Sequence, residues 1–419
     1  MTDEWGRPSG LLLRGGRLLD PSSGLDDEGD LLIRDGVIAG VGGDQPRGDA
    51  EVVEAKGLWV VPGLMDLHVH LRQPGEEQKE TIATGTAAAA AGGFAIVVSE
   101  PNTLPPVDTP QSIIMVQAWA EGAPAAVWPK CCLTRGRAGH EVASFAALRQ
   151  AGAVAASDDG DSVTDERVMR EAFQMAKASD MPLTVHVDTV ALMERDVRLS
   201  GEIGWPVHFS HVSLETEVAL LAAAQERGLH VTGEATPHHL TLCADDAPAG
   251  DASFRMNPPL RTRRDCEALR GALAAGVLSV IASDHAPHTP EEKARPYEEA
   301  PPGVIGLETT LGVVWTTLVH AGLLSAGRAV WAMTEGPARV LGDEPMLRLQ
   351  RGALGAVSLI DPDHVWTVEV DRFHSKGRNC PFAGWRLRGR VKRVTLRGVE
   401  AYRDGEVLAQ PGFGRDVRA

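Results

Sequence analysis

The polar face of one predicted strand carries the residues best suited to chemistry. Along residues 65–72 (MDLHVHLR), apolar and polar side chains alternate, and this period of two is typical of a strand with one apolar and one polar face. His68 and His70 would then point the same way, so both imidazoles could reach one metal ion. Burying them beside Asp66 costs free energy unless a partner compensates. A His-x-His pair also occurs on solvated strand edges, so the remaining histidines and aspartates must decide between the two interpretations.

Further groups that can bind a metal follow apolar, strand-like stretches elsewhere in the chain. With the first two histidines, they make six candidate ligands: His68, His70, Asp159, His186, His211 and Asp284. Each has an ordinary structural role when taken alone, such as a hydrogen-bonded core histidine or a turn aspartate. Together, at the ends of five predicted strands, they indicate a metal site. Imidazole and carboxylate without thiolate suit zinc, with manganese, cobalt or iron as alternatives. Six ligands fit two ions that share a carboxylate better than they fit one.

These groups need a scaffold that brings distant strand ends together, and the middle of the chain predicts one. From about residue 63 to 346, apolar stretches rich in strand formers alternate with helical stretches. The predicted strands are residues 64–70, 94–99, 127–133, 153–157, 182–187, 207–212, 229–235 and 278–283. Eight strands with helical crossovers favour a (β/α)8 barrel of the TIM type, in which catalytic side chains lie at the C-terminal ends of the strands. A doubly wound open sheet is the alternative, although no Gly-x-Gly-x-x-Gly follows a strand.

Both ends of the chain have a different pattern, with short apolar runs separated by turns. Asp35 and Gly36 lie between two such runs and predict a hairpin, and similar runs return between residues 356 and 407. We therefore expect an α/β protein in which a small β-sandwich domain is built from both chain ends. Its N-terminal part would span residues 1–62 and its C-terminal part residues 347–419, with the catalytic barrel at residues 63–346.

The overall composition argues against several classes of protein. The 419-residue chain carries a formal net charge of −16, which argues against a general nucleic-acid or anionic-membrane binder. Residues 1–10 lack a hydrophobic signal core, and no apolar run approaches the roughly 20 residues that span a bilayer. The five cysteines include no Cys-x-x-Cys, so reduced thiols in a cytoplasmic protein are expected.

Nine motifs, in order along most of the chain, resemble those of bacterial class I dihydroorotases in the amidohydrolase superfamily. They are residues 62–75 (PGLMDLHVHLRQPG), 101–103 (PNT), 157–160 (SDDG), 211–213 (HVS), 236–240 (TPHHL), 256–261 (MNPPLR), 283–288 (SDHAPH), 303–308 (GVIGLE) and 375–382 (SKGRNCPF). Their number and order make the resemblance far more specific than any one motif. It implies reversible, zinc-dependent hydrolysis of the cyclic amide of (S)-dihydroorotate to N-carbamoyl-L-aspartate, the third step of de novo pyrimidine synthesis.

The resemblance also implies roles for individual residues. The implied ligands are, for one zinc ion, His68, His70 and Asp284, and for a second ion His186 and His211, with Asp159 and a hydroxide as bridges. The Ser-Asp-Asp-Gly sequence resembles the class that uses aspartate where many relatives use a carbamylated lysine. Asp284 would take the hydroxide proton and pass it to the leaving ring nitrogen. The implied substrate contacts are Arg72, Asn102 and His288 to the carboxylate, and Asn257, Pro302 and Gly303 to the ring.

Two departures from the family pattern bear on these expectations. Glu100 stands where relatives often have methionine before Pro-Asn, which places an acid near the predicted anion site. His186 and His211 are only about 25 residues apart, where relatives usually have a considerably longer segment. One helix can still join the two strands, but the position of His186 along the barrel axis could differ from that in relatives.

Other interpretations stay open at this point. Another cyclic amidase, such as a hydantoinase or an allantoinase, is the main alternative, and Arg72 and Asn102 favour a carboxylated substrate over it. A silent subunit of aspartate transcarbamoylase would be expected to lose metal ligands, whereas this chain keeps all six. A homodimer and an association with aspartate transcarbamoylase are left open. So is the question whether residues 289–302 form a lid over the site or only a long loop.

Overall fold

The computed structural model describes residues 10–342 and 347–408, and this described chain begins with five strands. They are β1 (Gly10–Asp20), β2 (Leu25–Arg34), β3 (Val37–Val41), β4 (Glu51–Glu54) and β5 (Trp59–Pro62). The predicted hairpin joins β2 to β3. Its turn residues Asp35 and Gly36 have φ values of 50° and 81°, the left-handed values that a tight two-residue hairpin turn requires.

Strand β1 takes part in two separate pairings because it bends. Its register with β2 shifts between Leu13 and Gly16, where Gly15 has a φ of 66° that favours glycine. Before this bulge β1 pairs with β4, and after it β1 pairs with β5. Since a bulge increases the local twist, one long strand can turn the sheet around an apolar core.

The chain then alternates between short strands and helices. The strands of this part are β6 (Leu64–Val69), β7 (Phe94–Ser99), β8 (Ala126–Pro129), β9 (Cys131–Cys132), β10 (Ala156–Ser157), β11 (Thr184–Val185), β12 (Val207–Phe209), β13 (Val231–Ala235) and β14 (Val280–Ile281). They pair in parallel in the orders β6-β7-β8, β9-β10 and β11-β12-β13-β14. Bridges from Ala156 to Leu183 and from Val69 to His285 connect these sheets. The predicted (β/α)8 barrel is confirmed, with its third strand divided into β8 and β9 at Lys130.

Helices cross over between the strands, and several begin at threonine caps. The α-helices are α1 (Ile82–Ala91), α2 (Pro110–Trp119), α3 (Phe145–Gln150), α4 (Glu166–Ser179), α5 (Val190–Ile203), α6 (Glu215–Glu226), α7 (Pro237–Thr241), α8 (Arg263–Ala275), α9 (Pro290–Lys293), α10 (Thr310–Val314), α11 (Ala326–Ala332) and α12 (Glu335–Val340). Thr81, Thr109, Thr262 and Thr289 start α1, α2, α8 and α9 with reciprocal capping boxes. Within the described ranges, no helix is long and apolar enough to cross a membrane.

The short segment between His186 and His211 holds one complete helix. The side chain of Thr189 accepts a hydrogen bond from Leu192 N to begin α5, and Gly204 ends the helix with a φ of 68°. Strands β11 and β12, on either side of this helix, pair in parallel. One helix is therefore enough for this crossover, as the sequence predicts, and both histidines stay at strand ends.

The last described strands return to the first ones. They are β15 (Val357–Thr367), β16 (Arg386–Leu396), β17 (Val399–Arg403) and β18 (Glu406–Val407). Because β15 pairs with β5, both chain ends share one sheet, in the order β18-β17-β16-β15-β5-β1-β2-β3 with β4 on β1. Leu13, Ile33, Val60 and Leu359 are buried in its core. The predicted β-sandwich domain built from both ends is confirmed.

The limits of the domains are a proposal that rests on this strand pairing. We propose residues 1–62 and 347–419 for the two parts of the β-sandwich domain and residues 63–346 for the barrel. Of these, residues 1–9, 343–346 and 409–419 lie outside the described residues, as does nearly all of the N-terminal stretch predicted to lack a signal core.

Candidate metal centre

Side chains from three strand ends converge at the mouth of the barrel. His68 and His70 lie at the end of β6, Asp159 follows β10 and Asp284 follows β14. Asp284 Oδ1 is 3.2 Å from His70 Nε2 and 3.6 Å from His68 Nε2. Asp159 Oδ1 is 3.3 Å from His68 Nε2, and Asp159 Oδ2 is 3.5 Å from His70 Nε2. All four side chains are buried, so their donor atoms face one another rather than solvent.

Asp159 also belongs to a second group, with His186 after β11 and His211 after β12. Its Oδ1 is 3.3 Å from His211 Nε2 and 3.8 Å from His186 Nδ1, and these two ring nitrogens are 3.0 Å apart. The short connection through α5 therefore does not pull His186 away. Asp159 is shared by both groups. With Asp284 beside His68 and His70, all six predicted ligands lie at this end of the barrel.

The chemistry of these donors fits bound metal ions. Among the described residues, His68 Nε2 is buried without a hydrogen-bond partner, although carboxylates surround it. Burial disfavours the charged imidazolium, yet Asp159, Glu100 and Glu234 raise the pKa of His68 well above its ordinary value. Burial also favours the neutral acid at Asp159, but the neighbouring histidines hold the pKa of that carboxyl well below its usual range. The site therefore favours positive charge between ring nitrogens and carboxylate oxygens, which a metal ion supplies.

Three of the predicted site residues have a strained backbone. Arg72, His211 and Asp284 have φ values of 60°, 34° and 46°, in the left-handed region that residues other than glycine rarely adopt and that costs about 1–3 kcal/mol each. Such strain persists only where the surrounding structure imposes it. Next to Asp284, the ring of buried His285 is held by Glu80, with Nε2 and Oε2 3.2 Å apart. This contact fixes the backbone from which the Asp284 carboxylate projects.

Three of the candidate ligand histidines have the other ring nitrogen occupied by an oxygen. The pairs are His68 Nδ1 with Glu234 Oε1 at 2.7 Å, His70 Nδ1 with Asn102 Oδ1 at 2.9 Å, and His186 Nε2 with Asp188 Oδ1 at 3.0 Å. Partners of this kind fix the orientation of a ring and leave its opposite nitrogen for a metal. The sequence predicts neither Glu234 nor Asp188 as the partner of a candidate ligand.

Glu234 belongs to a buried chain of hydrogen bonds behind His68. Its Oε2 is 3.1 Å from His208 Nε2, and His208 Nδ1 is 2.8 Å from Thr232 Oγ1. Glu234 Oε1 also accepts a hydrogen bond from His211 N at 3.2 Å, so one carboxylate contacts residues of both ligand groups. The sequence signal that could have identified it is a lone acid within the otherwise uncharged strand β13.

Replacing Glu234 by glutamine is expected to lower the zinc affinity about 10- to 100-fold, the usual cost of losing an outer partner of a ligand histidine. The amide keeps an oxygen that can accept from His68 Nδ1 but loses the negative charge, so the hydrogen bond that orients the ring becomes weaker. Competition with a chelator measures the affinity. Asp30→Asn is a matched control, because Asp30 is a buried acid of the β-sandwich domain that accepts hydrogen bonds from Gly15 N and Gln45 N. Wild-type affinity in Glu234→Gln would remove this role.

Four of the predicted substrate contacts lie together beside the metal site. Buried Arg72 donates through Nε to Pro287 O at 3.2 Å, and its Nη2 lies 3.5 Å from His288 Nε2. His288 Nε2 is 2.9 Å from Pro302 O. Burial and the Arg72 guanidinium lower the pKa of His288 to about 3, so its ring is neutral and can donate to that carbonyl. Gly303 has a φ of 142°, and a Cβ there would lie 2.9 Å from His288 Nε2, so only glycine leaves this room.

The other two predicted substrate contacts are placed differently. Besides its contact with a ligand histidine, Asn102 donates through Nδ2 to Asp159 O at 3.3 Å. It therefore supports the metal site in this structure. Asn257 is exposed, two residues from Arg255, whose carbonyl accepts a hydrogen bond from Gly303 N at 2.8 Å. Substrate contacts by these two asparagines stay predictions.

The segment predicted as a lid or a long loop is fastened at its end. It contains the short helix α9, and Lys293 Nζ donates to Pro301 O and Gly303 O, each at 3.0 Å. This anchor holds the chain that carries Pro302 close to Arg72. Whether the segment moves over the site stays a prediction.

Known proteins resemble this chain in sequence and in fold. A family model described as dihydro-orotase-like matches residues 57–205. The chain is 43% identical to the dihydroorotase of Anaeromyxobacter dehalogenans (strain 2CP-1 / ATCC BAA-258), over 93% of this chain and 96% of that protein. It is 44% identical to the dihydroorotase of Pelotomaculum thermopropionicum (strain DSM 13744 / JCM 10971 / SI), over 90% and 95%.

Solved structures of related enzymes share the fold. The dihydropyrimidinase of Brevibacillus agri NCHU1002 superposes with a TM-score of 0.87 at 24% identity, over 98% of each chain. The L-hydantoinase (dihydropyrimidinase) of Arthrobacter aurescens gives 0.87 at 25% identity, over 96% of this chain and 98% of that chain. Because the dihydroorotases match at much higher identity over nearly the whole chain, this protein belongs to the dihydroorotase family of the amidohydrolases.

Proposed function

We propose that this protein is a dihydroorotase, which reversibly hydrolyses the cyclic amide of (S)-dihydroorotate to N-carbamoyl-L-aspartate in de novo pyrimidine synthesis. The observation that carries this proposal is that Asp159 groups with four histidines at the mouth of the barrel, with Asp284 3.2 Å from His70. The buried cation Arg72 lies beside these side chains. The chain is 43% identical to a dihydroorotase over 93% of its length, and its metal-binding groups support a metal-dependent hydrolase.

The two ligand groups support two zinc ions per chain. We assign His68, His70 and Asp284 to one ion, His186 and His211 to the other, and Asp159 to both. When bound, such ions polarise an amide carbonyl and lower the pKa of a water molecule. The outer partners of the histidines keep the ligand nitrogens pointed into the site.

We propose that Asp284 moves the proton of the reaction. In the hydrolytic direction its carboxylate accepts a proton from the attacking water and then gives it to the ring nitrogen that leaves. The buried site excludes bulk water as a competing proton acceptor. The strained backbone of Asp284, held next to the His285–Glu80 contact, fixes the direction from which the proton is taken and returned.

We propose that Arg72 binds the substrate carboxylate, and Arg72→Met tests this. A guanidinium offers a planar fork of donors that matches a carboxylate, and charged hydrogen bonds contribute about 1.5–3 kcal/mol each. We expect the KM for dihydroorotate to rise about 10- to 100-fold, with a smaller change in kcat. Dihydrouracil, the same ring without the carboxylate, is the matched control, and its kinetics should be unaffected. An unchanged KM for dihydroorotate would place the carboxylate elsewhere.

The function itself is tested by comparing substrates on one preparation of metal-loaded protein. We expect dihydroorotate to be hydrolysed with a much higher kcat/KM than hydantoin or allantoin, because only dihydroorotate carries the carboxylate that Arg72 can bind. A preference for hydantoin or allantoin would support the cyclic amidases whose fold this chain shares. Bound metal without turnover of any of the three would support a silent subunit.

The cellular location of the enzyme and its association with other chains are further parts of this proposal. All five cysteines lie within the described residues, where each is buried and free, and this supports the proposed cytoplasmic location. A homodimer and an association with aspartate transcarbamoylase stay as further proposals. Size determination of the purified chain, alone and mixed with aspartate transcarbamoylase, tests both.

A further inference from the structure

A buried ion pair lies directly beside the ligand His68. Glu100 follows β7, and Lys130 lies between β8 and β9. Lys130 Nζ donates to Glu100 Oε1, and both side chains have a relative exposure of 0%. Taking two charges out of water costs several kcal/mol for each ion. A fully buried ion pair therefore indicates a function that offsets this desolvation cost.

The carboxylate of this pair is only partly satisfied. Glu100 Oε1 is 3.7 Å from His68 Nε2. Within the described part of the chain, Glu100 Oε2 is buried and has no hydrogen-bond partner, and the same holds for His68 Nε2. Buried polar atoms are normally paired. Among the described residues, Glu100 and His68 therefore each keep one buried polar atom without a partner, as expected of side chains beside a bound cation.

The spacing suits a shared ion. Two ligand atoms that each lie about 2.0–2.2 Å from one zinc ion can be no more than about 4.4 Å apart, and Glu100 Oε1 lies 3.7 Å from His68 Nε2. The main chain also fixes the position of the pair, since Glu100 N donates to Val69 O at 2.9 Å and Lys130 N donates to Ser99 O at 3.0 Å. The pair is thus built into the strands that carry the metal site.

We propose that Glu100 is an accessory carboxylate of the metal ion at His68, and that Lys130 is the positioning residue that holds Glu100 and offsets its charge. This inference rests on the proposed metal centre and deepens it, because it adds an anionic group to the ligand sphere. Asp159, Asp284 and Glu234 already surround His68. Without Lys130, a further carboxylate would leave the metal-free site strongly negative.

Changes at the two residues should act differently on metal affinity. Glu100→Gln keeps an oxygen that can accept from Lys130 but loses the charge, so we expect the affinity for one of two zinc ions to fall about 10- to 100-fold. Lys130→Met removes the competing cation, so we expect zinc affinity to stay or increase while the metal-free protein unfolds at a lower temperature. Competition with a chelator measures the affinities. Cobalt-substituted protein should show a changed visible spectrum in Glu100→Gln.

A double variant separates a metal role from a purely structural ion pair. In Glu100→Met with Lys130→Met, two unbranched apolar side chains replace the pair, so we expect the thermal stability to recover and the zinc affinity to stay as low as in Glu100→Gln. Glu335→Gln is the control, because Glu335 is also a buried carboxylate, with Oε1 on Arg339 and Oε2 unpaired within the described residues. Glu335 is the first residue of α12, near the end of β6 that lies away from the metal site. The variant Glu335→Gln should bind zinc with the affinity of the wild type.

The outcomes distinguish this inference from the proposed function. Wild-type zinc affinity and an unchanged cobalt spectrum in the double variant would overturn it and leave an ion pair that only stabilises the fold. If the double variant does not fold, wild-type affinity in Glu100→Gln has the same meaning. These measurements use no substrate, so they decide the role of Glu100 whether or not dihydroorotate is hydrolysed. A wild-type chain that binds no zinc would instead contradict the proposed metal centre itself.

Discussion

The variant Asp284→Asn should lose turnover while keeping most of its metal. Asparagine still offers an oxygen at the position 3.2 Å from His70 Nε2, so the ion at this site should remain at least partly bound. The amide cannot accept a proton at neutral pH, and general acid–base catalysis contributes about 10²–10⁴-fold to a rate. We therefore expect kcat for dihydroorotate to fall by about 10²–10⁴-fold. The measurement is kcat together with metal content on the same sample.

Both values are needed because loss of metal would also abolish turnover. Asp30→Asn, in the β-sandwich domain, makes the same chemical change at a buried carboxylate and should leave both values unchanged. Near-normal kcat in Asp284→Asn would remove Asp284 from proton transfer. Loss of both values together would contradict the expected retention of metal and show that the Asp284 carboxylate is needed to bind the ion.

The second large effect is expected at the shared ligand. Asp159 contacts histidines of both groups through its two oxygens, so Asp159→Ala should release at least one of the two ions and abolish turnover. The loss of metal affinity should exceed the about 10- to 100-fold that an outer partner contributes. Metal content after dialysis and kcat measure the result.

The neighbouring aspartate provides the control for this prediction. Asp158 accepts hydrogen bonds from Leu133 N at 2.8 Å and Thr134 N at 3.0 Å. Its carboxylate therefore links the turn after β10 to the residues that follow β9. Asp158→Asn should lower stability by about 1–2 kcal/mol and keep both ions. If instead Asp158→Asn lost its metal and Asp159→Ala retained two ions, the bridge would be assigned to the wrong aspartate.

Much of the metal site could be predicted because parallel strands share one end. His68, Asp159 and Asp284 are far apart along the chain, yet each follows an apolar stretch that forms a barrel strand. Once eight such strands were recognised, their C-terminal ends had to meet. The alternation around His68 also showed which face would carry the ligands.

The outer partners could not be predicted in the same way. Glu234 contacts both His68 and His208 inside the barrel, and these pairings depend on how neighbouring strands align. A shift of one residue would turn either side chain to the other face. Asn102 illustrates the same limit, because the sequence placed it at the mouth, whereas the direction of its amide toward His70 and Asp159 depends on three-dimensional packing.

The fold was predicted in outline, and its irregular points were not. The hairpin at Asp35 and Gly36 has a strong local signal, since both residues tolerate a positive φ. The bend at Gly15 and the division of the third barrel strand at Lys130 have weaker signals. Both irregular points depend on contacts with other parts of the chain. At Gly15 these are the pairings of β1 with β4 and β5, and at Lys130 it is the ion pair with Glu100.

The metal content of the wild-type chain tests the central claim most directly. The protein would be loaded with zinc, freed of excess metal by gel filtration and analysed by plasma emission against its amino-acid content. Six ligands in two groups joined by Asp159 predict two equivalents of zinc per chain. One equivalent or none would contradict this account, because the two groups would then not form a binuclear site.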